Sequence, residues 1–122
     1  MQFIASTVLV KVLLLITVAR DGGIIRTYDS LFNIICSTFS NNSAAYYCNS
    51  GVMITYGGSS FNITYGTFTN NNAADTGGVM YTFDSIFKIT SSIFANNSAT
   101  KAGGVTFSSD TSFNITSSIF TK

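Results

Sequence analysis

Four times along the chain a phenylalanine and an isoleucine flank one polar residue: Phe32-Asn33-Ile34, Phe61-Asn62-Ile63, Phe87-Lys88-Ile89 and Phe113-Asn114-Ile115. Alternation with period two marks a half-buried strand, with Phe and Ile on one face and Asn or Lys on the other. A second phenylalanine closes each copy, as Phe39, Phe68, Phe94 and Phe120, and Gly23, Gly51, Gly78 and Gly104 open them. Both phenylalanine series advance by 29, 26 and 26 residues. A self-similar period in the twenties is one supersecondary unit copied and stacked, so function belongs on an extended repetitive surface rather than in a single pocket.

The third copy shows the unit most plainly: Val79-Met80-Tyr81-Thr82, then Ile86-Phe87-Lys88-Ile89-Thr90, then Ile93-Phe94-Ala95. Three short runs rich in β-branched and aromatic residues, separated by Gly, Asp, Ser and Asn, read as three strands bounded by turns. A Leu-based horseshoe framework and the 3.6-residue period of helical repeats are both missing. The predicted fold is therefore all-β: a right-handed parallel β-helix of about four coils of ~26 residues, three short strands per coil, each coil ~4.8 Å from the next. The eight phenylalanines would stack down a common core. Extra residues in the second half of the first copy and at Gly57-Gly58 fall between strands, where a solenoid absorbs insertions.

Composition narrows the class. Charged residues are 9% of the 122, Pro, His and Trp are missing, and the net charge is +1. Ser, Thr and Asn carry the polarity. With 46% apolar residues the chain is too hydrophobic to be disordered, and without Lys/Arg clusters it offers nothing to hold a phosphate backbone, which excludes nucleic acid as a partner.

Gly-Gly-Val at Gly77 to Val79 and Gly103 to Val105, with Gly-Gly-Ile at Gly22 to Ile24, is paired with Phe-x-x-Asn at Phe39 to Asn42, Phe68 to Asn71 and Phe94 to Asn97. Over about residues 22–122 this resembles the repeat of the polymorphic outer membrane proteins of chlamydiae, within the pectin-lyase-like β-helices. The resemblance implies a right-handed β-helix displayed outside the cytoplasm, at the cell surface or outer membrane, acting as an adhesin. The chain departs from that family in having neither a membrane-barrel domain after Lys122 nor a long passenger.

Residues 1–20 break the pattern. Lys11 followed by Val12 to Val18 and Ala19 fits the charged, apolar and small-residue regions of a signal peptide. The same β-branched run also fits an N-terminal cap or partial coil, and is short and charged for a membrane anchor. Residues 21–122 form the repeat domain, expected to be a fragment of a longer array or a chain that self-associates end to end through uncapped coils.

Few residues can carry chemistry. Asp29, Asp84 and Asp110 each precede the first Phe of a copy by three positions, with Gly58 in that place in the second. Stacked Asp84 and Asp110 are the weak candidates for a cation or for a carbohydrate-cleaving pair, against the simpler role of an Asp that caps a turn. The Asn pairs at 41–42, 70–71 and 96–97 fit a corner ladder. Sequons begin at Asn41, Asn62, Asn96 and Asn114; the alternation turns Asn62 and Asn114 outward as glycosylation candidates and buries Asn41 and Asn96 in the ladder. Cys36 and Cys48 stand either as a disulfide or as free buried thiols.

The sequence thus predicts a non-enzymatic, secreted or surface-exposed, adhesin-like protein. Its Ser/Thr/Asn-rich face would contact host or neighbouring-cell glycans or proteins weakly and multivalently, with no cofactor. The alternative is a fragment of a pectin-lyase-like carbohydrate-active enzyme.

Overall fold

A computed structural model describes residues 2–4, 7–10, 18–19, 24–45 and 49–122, the first three strands in backbone only. These strands are β1 (Gln2–Ile4), β2 (Thr7–Val10) and β3 (Val18–Ala19). The first complete coil holds β4 (Ile25–Tyr28), β5 (Leu31–Ile35), β6 (Thr38–Ser40) and β7 (Ser43–Ala44). The second holds β8 (Met53–Tyr56), β9 (Ser60–Thr64), β10 (Thr67–Thr69) and β11 (Asn72–Ala73). The third holds β12 (Met80–Phe83), β13 (Ile86–Thr90), β14 (Ile93–Ala95) and β15 (Ser98–Ala99), and the last β16 (Thr106–Ser109), β17 (Ser112–Thr116) and β18 (Ile119–Thr121). Each complete coil has the three predicted strands, of four, five and three residues, plus a two-residue fourth.

Every strand pairs in parallel with its counterpart one coil away. The sheets run β1-β4-β8-β12-β16, β2-β5-β9-β13-β17, β6-β10-β14-β18 and β3-β7-β11-β15. Register is identity-preserving: Phe32 pairs with Phe61, Phe61 with Phe87 and Phe87 with Phe113, and Phe39 with Phe68. The protein is a parallel β-solenoid of about four turns. β1, β2 and β3 pair in parallel with β4, β5 and β7, while most of the run from Val12 to Val18, on which the signal-peptide and partial-coil expectations fall, lies outside the described residues.

Phenylalanines fill the interior because the same inward position recurs in every coil. Phe32, Phe61, Phe87 and Phe113 stack at 5.0–5.2 Å, and Phe39, Phe68, Phe94 and Phe120 at 4.7–5.0 Å, all within 15° of parallel. The first three rings of each stack are buried, whereas Phe113 and Phe120 in the last coil are 57% and 43% exposed. Ile34, Ile63 and Ile89 make a third buried column beside them.

Corners are built by single left-handed residues. Asp29, Asp84 and Asp110 (φ 46–49°) turn the first corner, Cys36, Tyr65, Ser91 and Ser117 (φ 48–55°) the second, and Asn41, Asn70 and Asn96 (φ 54–56°) the third. At the first corner of the second coil the insertion supplies Gly57 and Gly58, at φ 63° and 76°. Asp, Asn and Gly suit this conformation, because a short polar side chain or none relieves the Cβ clash that penalises bulkier residues. The Gly-Gly motif has two separate reasons: Gly77 and Gly103 are left-handed, whereas a Cβ on Gly78 would press into the carbonyl oxygens of Gly104 and Ser98.

The residue after each corner turns inward and, Gly66 apart, is polar, so buried polar atoms need partners. Ser30, Ser37, Ser85 and Ser92 are buried, and each hydroxyl donates to the carbonyl two residues back at 2.8–2.9 Å. Serine oxygens also accept from the preceding coil, Ser92 Oγ from Gly66 N–H at 3.0 Å and Ser59 Oγ from Ser30 N–H at 3.2 Å. The inward threonines of the first sheet differ. Thr27, Thr55 and Thr82 are stacked in register at 0–1% exposure, and their hydroxyl oxygens have no hydrogen-bond partner among the described residues. Replacing Thr82 by Val keeps the branched shape and removes an unpaired buried hydroxyl, so Thr82→Val is expected to stabilise the fold by about 1 kcal/mol, read as a higher urea midpoint.

Candidate functional site

At the first corner the structure stacks Asp84 on Asp110: Phe83 pairs with Ser109 immediately before them, and Asp84 N–H donates to Ser109 O at 3.1 Å. Both are exposed, as is Asp29, and Ser109 Oγ donates to Asp110 Oδ2 at 3.2 Å. All three hold the left-handed corner, and Gly58 substitutes for them in the second coil, so backbone conformation accounts for the residue type. No group of three or more His, Cys, Asp or Glu that could hold a metal ion occurs among the described residues.

The Asn pairs divide their work in a way the alternation did not foresee. Asn41, Asn70 and Asn96 are the left-handed corner residues and are exposed; the expectation that Asn41 and Asn96 lie buried in a ladder is overturned. The ladder is built by the second Asn of each pair, Asn42, Asn71 and Asn97. Asn71 Oδ1 accepts from Asn42 Nδ2 at 2.8 Å and from Asn42 N–H at 3.1 Å, and Asn71 Nδ2 donates to Asn97 Oδ1 at 2.9 Å and to Phe39 O at 3.0 Å. The physical reason is phase. A left-handed corner puts two successive residues outside, so the side chain after it, not the corner itself, returns to the interior.

The outward candidates are unequal too. Asn114 is exposed, but Asn62 is half-buried and its Nδ2 donates to Asn33 Oδ1 at 2.9 Å. Asn33, Asn62, Lys88 and Asn114 form one outward column of the second sheet. Ile35, Thr64, Thr90 and Thr116 form another, with Thr116 Oγ1 donating to Thr90 Oγ1 at 3.4 Å. Exposed Leu31, Ile86, Ile93 and Ile119 interrupt this polar surface, so it is less uniformly Ser, Thr and Asn than composition suggested. Cys36 sits exposed at the second corner rather than buried, and Cys48, with the disulfide reading, lies outside the described residues.

A second surface escaped the sequence reading. The outward positions of the first sheet form two columns, Arg26, Ile54, Tyr81 and Phe107 in one and Tyr28, Tyr56, Phe83 and Ser109 in the other. Tyr81 stacks on Phe107 at 5.5 Å and 8°, Tyr56 meets Tyr81 edge-on at 6.1 Å, and the Arg26 guanidinium lies 5.9 Å from the Tyr56 ring centre. Burial, followed by the neighbouring Tyr56 and the charge of Asp75, holds the Tyr81 hydroxyl proton above the ordinary tyrosine range. Asp75 in turn pairs with Lys101 at 2.6 Å. The legible signal was the aromatic at alternate positions of the first strand in every coil, visible only once that strand's phase is fixed by its Thr column.

These features define a parallel β-solenoid with a polar and an aromatic outer surface. No protein-family model matches the chain, and no curated protein or solved structure matches it either.

Proposed function

We propose that this solenoid is a non-enzymatic, adhesin-like protein that works outside the cytoplasm, secreted or at a cell surface or outer membrane. It engages glycans or proteins of a host or neighbouring cell. The observation that carries the reading is the register: outward side chains recur coil by coil at ~4.8 Å, so one weak contact is offered several times over. The Gly-Gly-Val and Phe-x-x-Asn motifs, similar to those of the chlamydial polymorphic outer membrane proteins, support the same reading.

The test is an array of glycans and extracellular proteins, probed with and without calcium by wild type and by an Asp84→Asn, Asp110→Asn double variant. Binding is expected to be independent of calcium and to survive the double substitution, because both carboxylates serve the corner. Calcium-dependent binding that disappears in the variant would instead make the Asp pair a site.

A further inference from the structure

The first sheet's outer surface differs from the others in chemistry as well as in position. Five of the eight residues at its outward positions on β4, β8, β12 and β16 are aromatic, and one of the other three, Ile54, is covered at 2% exposure. Tyr28, Phe83 and Phe107 remain 51%, 42% and 37% exposed. Isolated surface aromatics are ordinary, but a contiguous aromatic surface marks an interaction site.

The surface is also built. Tyr28 rests against Gly57, where a Cβ would fall 2.8 Å from its ring, so the glycine insertion of the second coil makes room for that side chain. Tyr81 is fixed between Phe107 and Tyr56, and Tyr56 lies under Arg26. Rings held in this way give up little conformational freedom when a ligand binds.

Size and charge select the ligand. Four-residue strands on four rungs span about 13 by 14 Å, near 180 Å². A stable protein interface buries about 800 Å² on each side. The charge of Asp75 is answered within the protein by Lys101, and exposed Arg26 is the one charged residue on these four strands, so a multiply charged ligand finds at most a single counter-charge there. A sugar ring has the complementary pattern, with an apolar C–H face for an aromatic ring and a rim of hydroxyls for the tyrosine oxygens.

We infer that this aromatic surface binds a neutral polysaccharide, through C–H contacts on Tyr28, Phe83 and Phe107 and hydrogen bonds to the Tyr28, Tyr56 and Tyr81 hydroxyls. The inference rests on the adhesive reading and names its ligand class. A repeating ligand meets repeating rungs, and the polar columns of the second sheet are not its contact.

The experiment measures retention of the 122-residue chain on immobilised galactomannan, xyloglucan and laminarin, with folding checked by circular dichroism. Wild type is expected to be retained on at least one. Tyr28→Ala with Phe83→Ala, both on the exterior, should weaken retention by about tenfold or more, the equivalent of two lost ring contacts. Asn62→Ala with Thr90→Ala should leave it unchanged. Loss of retention in the Asn62/Thr90 variant alone overturns the inference and leaves the adhesive reading standing, as does binding to an extracellular protein with no retention on any of the three polysaccharides. Because the chain has six Tyr and no Trp, wild-type tyrosine emission gives a readout independent of the variants. Galactomannan, xyloglucan or laminarin should change it; emission unaltered by all three overturns the inference.

Discussion

Phe68→Ala is expected to destabilise the solenoid by about 3–5 kcal/mol, a large part of the 5–15 kcal/mol that holds a typical domain together. Phe68 is fully buried and is stacked on both sides, on Phe39 at 5.0 Å and on Phe94 at 4.7 Å. Truncation removes the ring's burial, opens a cavity in a column with no neighbour free to move in, and breaks two stacking contacts at once. Because coils are held only by their neighbours, the damage falls at the junction of the second coil with both the first and the third. Phe120→Ala supplies the comparison. Its ring stacks on Phe94 alone and is 43% exposed, so about 1–2 kcal/mol is expected. Urea unfolding of the two variants beside wild type reads both numbers; equal losses would contradict the stacked core.

The second large effect is at Asn71. Its side chain makes four hydrogen bonds at 2.8–3.1 Å, to Asn42 twice, to Asn97 and to the Phe39 carbonyl, all from a position with no solvent exposure. Asn71→Ala removes all four in a place where water cannot replace them, for an expected loss of about 3 kcal/mol. Asn70→Ala, one residue earlier, changes an exposed corner side chain and should cost about 1 kcal/mol, the left-handed preference of Asn over Ala. The measurement is again the urea midpoint. A comparable loss at Asn70 would show that the ladder had been assigned to the wrong Asn.

These two positions also show how far the sequence can be read. The Phe columns were legible because an inward position repeats in every copy and nothing but a large apolar group satisfies it. Parallel pairing and the length of each coil followed from the same repetition. Asn70 and Asn71 were not separable, because period two assigns opposite faces to neighbours, and the left-handed corner between Thr69 and Asn71 shifts the phase by one. The same shift explains why Ser37 and Ser92, polar by composition, are interior, and why Asn41 and Asn96 are exposed. The aromatic surface was hidden for another reason. Tyr28, Tyr56, Tyr81 and Phe83 come from strands 25–28 residues apart and do not look like a cluster until register brings them side by side. Asp84 and Asp110 were placed on one corner by sequence, and their left-handed backbone gives a reason for Asp there that needs no chemistry.

An adhesive solenoid binds its polysaccharide without turnover. The measurement that bears on it most directly incubates the chain with the polysaccharides that retain it and follows retention and new reducing ends in the same samples over time. Stoichiometric, reversible retention with no growth in reducing ends is expected. Reducing ends that accumulate with time and vanish in the Asp84→Asn, Asp110→Asn variant would contradict it, and would make the stacked corner acids the centre of a carbohydrate-cleaving enzyme.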